Sequence, residues 1–342
     1  MNRSRSPQLP RLPRPRGPLS DALIGTLTDE SRTLGTIPDD VDPRTDDDFQ
    51  LALHVAYELH YRSFAGVGDG WEWHPAIVTF TRALERRFEA ALRGDAAVQD
   101  CKSVDAIVEL PALLARADGP SLSSYMLTQG TLAELREFAI HRSAYQLKEA
   151  DPHTWAIPRL NGEAKAALVR MQKDEYGDGT ASAMHCTLFA DTMAALGLDP
   201  TYGAYIDQLP GTTLATGNLV TMFGLHRRLR GALVGHLAGF EMTSVVPMTR
   251  YSRALRRLGV GPRARHFYDV HVEADAVHEQ VALHDMVGAF VEDEPELATE
   301  VLFGAQALID VEQRFASTLL CAWQQGRTSL LIDEPEGFAE TA

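Results

Sequence analysis

Two imidazoles and a carboxylate, His271, Asp275 and His278, recur at positions i, i+4 and i+7 of the stretch HVEADAVHE. At about 100° per residue, an α-helix gathers these side chains within an arc of roughly 60° and turns Glu273 to the opposite side. Such a face offers imidazole nitrogen and hard carboxylate oxygen, a mixture suited to iron or manganese rather than calcium, and it lacks the thiolates of a structural zinc site. Three ligands on one helix cannot enclose an ion. By itself the stretch is also readable as a solvated helix face.

A metal site inside a helical bundle draws carboxylates and histidines from several helices. Glu241, in LVGHLAGFEMTSVVP, interrupts an apolar turn where an unpaired carboxylate is expensive to bury. Glu175 ends the helical stretch RMQKDE and His185 starts the next at HCTLF, so the glycine-rich link between them can aim both at one point. Asp174 is adjacent to Glu175, only one of the two can face inward, and helix phase does not choose between them. The candidate ligands are therefore Glu175, His185, Glu241, His271, Asp275 and His278.

The elements that must position these residues read as helices throughout. From about residue 48 apolar positions recur at helical spacing, GVGDG interrupts them, and HPAIVTFTRALERRFEAALRG resumes the pattern, which predicts a helical hairpin. Thr131 and Glu134 form a capping-box pattern at a helix start. Helices ending near Gly177 and Gly197 follow, then a long apolar stretch over roughly 212–246 and a final helical run from about residue 296. Convincing strand alternation is scarce, so the expected fold class is all-α, a bundle with an N-terminal auxiliary helical region. The expected divisions are a disordered basic, proline-rich leader over 1–45, an auxiliary hairpin region over 46–120, the main domain over 121–330 and an acidic tail over 331–342.

The chain has 342 residues, 45% of them hydrophobic, and a formal charge of −15. Five arginines and no acid fall in MNRSRSPQLPRLPRPRGP, which leaves the rest of the chain more acidic still. Such a body repels phosphate backbones and argues against nucleic-acid binding. Cys101, Cys186 and Cys321 are widely spaced, with no C-x-x-C pair, so neither a disulfide framework nor a cysteine zinc site is expected. No apolar run reaches membrane-spanning length, and the leader lacks an apolar signal core. A cytoplasmic protein without membrane partners is the expectation.

The order Glu, nine residues, His, then a lone Glu on a later apolar helix, then H-x-x-x-D-x-x-H resembles the ligand pattern of the haem-oxygenase-like diiron oxidases and oxygenases. LKEADPHTWAIPRL, KDEYGDG, GLHRRLRGALVGHLAGFEMTS and HVEADAVHE resemble in particular the iron-containing redox enzyme branch of that superfamily, over roughly residues 120–330, and ELHYRSF adds to the likeness. The resemblance implies a haem-oxygenase-like bundle and two Fe(2+) ions per chain, one of them often loosely held. The six candidates match its ligand positions, with Glu175 preferred to Asp174 by spacing, and Glu241, alone on its helix, is the expected bridging carboxylate. It also implies O2 and a small-molecule substrate, in N-oxygenation of amines or guanidines, oxidative decarboxylation or C–C cleavage, often in specialised metabolism. An amine- or amino-acid-like substrate is the expectation here. Electrons come either from an external donor or from the substrate, and a homodimer through the N-terminal hairpin is the expected assembly.

Other polar residues have two readings each. Glu149 and His153 in KEADPHTW are either groups supporting the metals or substrate, or parts of a loop in which Asp151 and His153 cap backbone. Arg227, Arg228 and Arg230 precede Glu241 on its helix; an inward one, Arg227 or Arg230, would clamp a substrate carboxylate, and otherwise they form salt bridges. His226 and His236 read as structural histidines, Cys186 as a small buried hydrophobe, and His54, Glu58 and His60 as either packing residues or a ligand-like trio. Among other functions, a metal-independent enzyme resembling thiaminase II or the quinone-cofactor synthase would lack the full six-residue set. A non-catalytic interaction bundle or ferritin-type store is also disfavoured, because ferritins use paired E-x-x-H motifs that this sequence lacks.

Overall fold

A computed structural model of the chain describes residues 9–95 and 104–331. The helices are α1 (Pro18–Thr28), α2 (Asp47–Glu58), α3 (Pro75–Asp95), α4 (Ala106–Ala115), α5 (Leu122–Thr128), α6 (Leu132–Gln146) and the single turn α7 (Asp151–Thr154). They continue with α8 (Gly162–Glu175), α9 (His185–Ala195), α10 (Gly211–Leu225), α11 (Arg230–Arg257), α12 (Pro262–Gln280), α13 (Ala289–Asp293) and α14 (Ala298–Gln324). A π-helical segment, Val281–Gly288, joins α12 to α13. Among the described residues there is no strand, as the absence of alternating patterning predicts. None of these helices is long and apolar enough to cross a membrane.

Two long helices, α11 and α14, form the spine, and glycines set their separation. Gly231, Gly235 and Gly239 repeat every four residues along the face of α11 that meets α14, and Gly304 answers from α14. A side-chain carbon at Gly235 would collide with the Val301 carbonyl, and one at Gly304 with the Ala232 carbonyl. The backbones therefore touch there, which fixes α11 six residues before Glu241. The other face of α11 packs along α12.

The buried apolar residues form two clusters rather than one. The first gathers α1, α2, α3 and α10 with the beginnings of α11 and α14 and the π segment; the second gathers α5, α9, the start of α12 and the far ends of α11 and α14. Along α11 the first cluster ends at Ala238 and the second begins at Tyr251, and along α12 and the π segment that continues it the order is reversed, with Tyr268 closing one and Val281 opening the other. Glu241 and HVEADAVHE thus fall at a seam where each helix changes apolar partners.

The N-terminus departs from expectation. Residues 1–8 lie outside the described part, but Pro10 and Pro13 are already buried, and α1 buries Leu19, Leu23, Ile24 and Leu27. Their i, i+4, i+5, i+8 spacing is an ordinary amphipathic stripe, hidden in the sequence by flanking prolines and arginines. Asp48 anchors the start of α1 by accepting the backbone N–H groups of Leu19 and Ser20 at 2.8 Å. A disordered leader does not extend to residue 45. The predicted hairpin helices exist as α2 and α3, yet α2 packs against α1 and α10 and belongs to the first cluster. The acidic tail and Cys101 lie outside the described residues, while Cys186 and Cys321 are free thiols.

Candidate metal centre

Four elements meet at the seam, and local backbone chemistry aims each of them. The capping box expected at Thr131 and Glu134 starts α6. That helix ends at Gln146, and a turn in which Ala150 takes φ 74° then carries Glu149 inward. Gly177, Asp178 and Gly179 have φ values of 61°, 52° and 77° in succession, a left-handed run that reverses the chain between α8 and α9. This link brings Glu175, the last residue of α8, against His185, the first of α9, as the glycine-rich sequence predicts. Helix α11 supplies Glu241, and α12 supplies His271, Asp275 and His278, all buried, while Glu273 is exposed on the far side.

The donor atoms form two overlapping groups. Glu149, Glu175, His185 and His271 make one and Glu175, Glu241 and His278 the other, each with donor atoms within 4.8 Å of one another. Glu175 Oε2 lies 2.9 Å from His185 Nδ1, yet neither atom is aligned for a hydrogen bond with the other or with anything else. His271 Nε2 lies 3.7 Å from Glu149 Oε2, and His278 Nδ1 lies 3.3 Å from Glu241 Oε2. Glu149 Oε2 and His278 Nδ1 are likewise buried without a hydrogen-bond partner. Buried polar atoms are nearly always paired, so four convergent orphans are what a cation-binding site leaves when only protein atoms are counted.

The remaining atoms of these side chains are held from behind. His271 Nδ1 donates to the Phe267 carbonyl at 2.8 Å, which leaves Nε2 facing the cluster. His278 Nε2 is 3.0 Å from Asp174 Oδ2, which leaves Nδ1 facing Glu241. Ser244 donates to Asp275 Oδ2 at 2.5 Å, and the opposite oxygen of Asp275 is 3.8 Å from His278 Nδ1. Helix phase leaves open which of Asp174 and Glu175 faces inward, and the structure places Glu175 inside and Asp174 at the rim.

Electrostatics follow from burying so much like charge. Burial, together with Asp275 and Asp174, pushes the Glu175 carboxyl up to about 7 against the pull of His271 and His278. Burial and Glu241 raise Asp275 to about 6, and burial also raises Glu149 and Glu241. For His271 burial opposes the charge but Glu149, Glu175 and Asp275 outweigh it, raising the imidazole to about 10; burial likewise opposes His278, which Glu241 and Asp174 raise to about 9. His185 goes the other way, lowered to about 4 by burial and by the neighbouring His271. Protons are thus held in place of the positive charge that the carboxylates demand.

Six predicted residues are brought together, and Glu149 joins them as a seventh. Its sequence signal is weak, since it stands beyond the last helical turn of α6 where no phase can be read. Asp275 belongs to neither tight group but lies beside the second. Glu241 is expected from the sequence to be the shared carboxylate; the geometry instead places Glu175 in both groups. His153 lines the same cavity and pairs at 3.1 Å with His236, both deeply buried and lowered by that burial.

Arg227 and Arg230 are not at the centre. Arg230 is paired with Glu294, and the eleven residues to Glu241 span about 16 Å of helix at 1.5 Å per residue. Arg228 pairs with Glu89 at 2.5 Å, the salt-bridge alternative expected for the arginines, and His226 pairs with Glu85 at 2.7 Å. The trio of His54, Glu58 and His60 does not converge, because Glu58 is bound by Lys148 and Tyr202 while His60 turns to Glu72.

A helical bundle holding this constellation of carboxylates and histidines has the haem-oxygenase-like architecture. The chain belongs to the iron-containing redox enzyme family, whose model matches residues 136–313, just over half of its length. It is 25% identical over 146 residues to the nitrosourea synthase of Streptomyces achromogenes subsp. streptozoticus, a match covering 43% of this chain and 31% of that one. Among solved structures, a CADD-like protein of unknown function from Nostoc punctiforme shares the fold with a TM-score of 0.50 and 20% identity, over 62% of this chain and 94% of the other.

Proposed function

We propose that the chain is a non-haem diiron oxygenase or oxidase that uses Fe(2+) and O2 to oxidise a small nitrogen-bearing molecule. The observation that carries this reading is the pair of donor groups sharing Glu175, each with unpartnered buried atoms. Glu149, His185 and His271 would hold one ion, Glu241, His278 and Asp275 the other, and Glu175 would serve both. Two ferrous ions held there would supply the electrons and open coordination positions that activation of O2 requires. The protein's own part is positional. Phe267 and Asp174 fix which imidazole nitrogen faces inward, Ser244 fixes the Asp275 carboxylate, and the apolar clusters on either side keep bulk water out. Relatedness to a nitrosourea synthase supports oxidation at nitrogen.

Anaerobic titration with ferrous iron, followed by oxygen-uptake measurements with candidate amines, tests the proposal. The expected result is close to two ions per chain, with Glu241→Ala and His271→Ala each losing at least one of them together with substrate-dependent uptake. Unchanged stoichiometry and uptake in both variants would overturn it.

A further inference from the structure

The metal centre opens into a second, larger cavity. It has a volume of about 350 Å³ and shares Tyr145, Gln146, Phe240, Ser244 and Met248 with the cavity at the carboxylates. That volume lies at the small end of pockets that hold organic ligands. Its walls come from α6, α11, α12, α14 and the segment joining α4 to α5, and they are mainly aromatic and aliphatic, with Phe138, Tyr251 and Tyr268 among them.

The charges in this wall are already used. Among the described residues, Arg142 and Glu312 are the two charged ones lining the cavity, and they face each other in a two-pronged pair at 2.8 and 2.6 Å. Arg142 also lies over the Phe315 ring at 4.4 Å, which covers the face of its guanidinium. A carboxylate or ammonium seated against this wall, away from the carboxylates beyond the mouth, would be desolvated without a partner unless it broke that pair. One neutral acceptor, in contrast, is unspent: Gln146 is 7% exposed, and its side-chain oxygen is buried with no hydrogen-bond partner. It stands at the mouth between the two cavities.

We infer that this chamber is the substrate site, that it accepts an uncharged molecule with an apolar body, and that Gln146 reads one N–H or O–H of that molecule next to the metals. The inference rests on the diiron reading for its chemistry but not for its binding. A free amino acid, charged at both ends, does not fit a wall whose ion pair is closed; this narrows the amine- or amino-acid-like expectation to its uncharged, N–H-bearing part. Gln146 is then a specificity-determining residue, because an acceptor left unpaired penalises any ligand lacking the donor.

Three probes with one body separate the possibilities: 4-phenylbutanamide, neutral with N–H donors; methyl 4-phenylbutanoate, neutral with acceptors only; and homophenylalanine, a zwitterion. Binding to the full-length, metal-free chain is measured by calorimetry. The amide should bind about tenfold more tightly than the ester and homophenylalanine more weakly than either. Gln146→Leu, with Gln146→Met as a second variant should the first fail to fold, should erase the amide-to-ester gap while leaving ferrous stoichiometry unchanged. Ala316→Trp, which fills the chamber, should abolish binding of all three. Tightest binding by homophenylalanine, no binding by the amide, an amide-to-ester gap surviving in the Gln146 variants, or undiminished binding in Ala316→Trp would each overturn the inference. Failure of iron loading with the probe pattern intact would instead overturn the diiron reading alone.

Discussion

Two clusters of buried charge lie side by side in this molecule, joined through consecutive residues, Lys148 and Glu149. In the first, Lys148 bonds Glu58, Tyr202 donates to the same carboxylate at 2.6 Å, and the ammonium lies 4.2 Å from the centroid of the Tyr61 ring. Burial there pushes the Glu58 carboxyl up, but Lys148, His54 and the hydrogen bonds outweigh it, so its net shift is downward. In the second, Glu149, Glu175, Glu241 and Asp275 are all shifted upward. The sign differs because the single carboxylate of the first cluster is matched by an ammonium, whereas four carboxylates of the second share two raised imidazoles, His271 and His278. Buried carboxylates shifted upward among unpartnered ligand atoms make a site that could hold a cation from outside.

The largest effect expected from breaking this contrast is in the self-contained cluster. Lys148→Met leaves the Glu58 carboxylate buried and uncompensated, and denaturant unfolding should register a loss of about 3–5 kcal/mol. Glu58→Leu combined with Lys148→Met should recover most of it, because an apolar pair of similar volume needs no counter-ion. Recovery failing in the double variant would mean that the pair specifies the packing of α2 rather than merely neutralising itself.

Glu175→Gln should do the opposite, making the metal-free chain more stable while removing its capacity for the second ion. The pH dependence carries the sign. The Glu175 carboxyl sits at about 7 in the folded chain against an ordinary 4.5, so its protonated form favours folding below 4.5 and that contribution is lost as pH rises through 7. The stability gap between the variant and the parent should therefore be near zero below pH 4.5 and widen to at most about 3 kcal/mol above pH 7. Glu58, shifted downward, contributes stability above its ordinary value that is lost as pH falls, so Glu58→Gln should give a gap that widens in the other direction. Parallel pH profiles for the two variants would refute the comparison.

The smallest expected effect is at Asp174, half exposed and in contact with the centre only through His278. Asp174→Asn should weaken ferrous binding about tenfold, the lower end for an outer partner of a ligating histidine, with little change in the stability of the metal-free chain. Competition with a calibrated chelator measures it.

How much of this was legible in the sequence depends on whether a residue sits inside a helix. His271, Asp275 and His278 share an unbroken stretch of α12, so their convergence follows from 100° geometry, and the glycines at 177 and 179 announce the reversal between Glu175 and His185. Glu149 is readable as a supporting group or as part of a loop but not as a member of the donor cluster, because a non-helical turn with Ala150 at positive φ sets its direction. Lys148 gives no sign of burial, since its partner Glu58 is ninety residues away. The side chamber draws its wall from five parts of the chain, and no local pattern describes it. Arg227 and Arg230 were misleading because their distance from Glu241 places them a bundle layer away, beside Glu294 rather than a substrate.

The π segment after α12 has a consequence for how this chain tolerates insertion and deletion. A wide turn with i→i+5 bonds accommodates one residue more than an α-turn of the same height, while the helical faces before and after it keep their directions. His284 and Asp285 are exposed there, between buried Leu283 and Met286. Deleting one of them should leave a continuous α-helix with His278 still facing inward and Phe290 still in the core. Deleting any single residue between His271 and His278 would instead rotate one or two of the three α12 side chains by about 100°, away from the others.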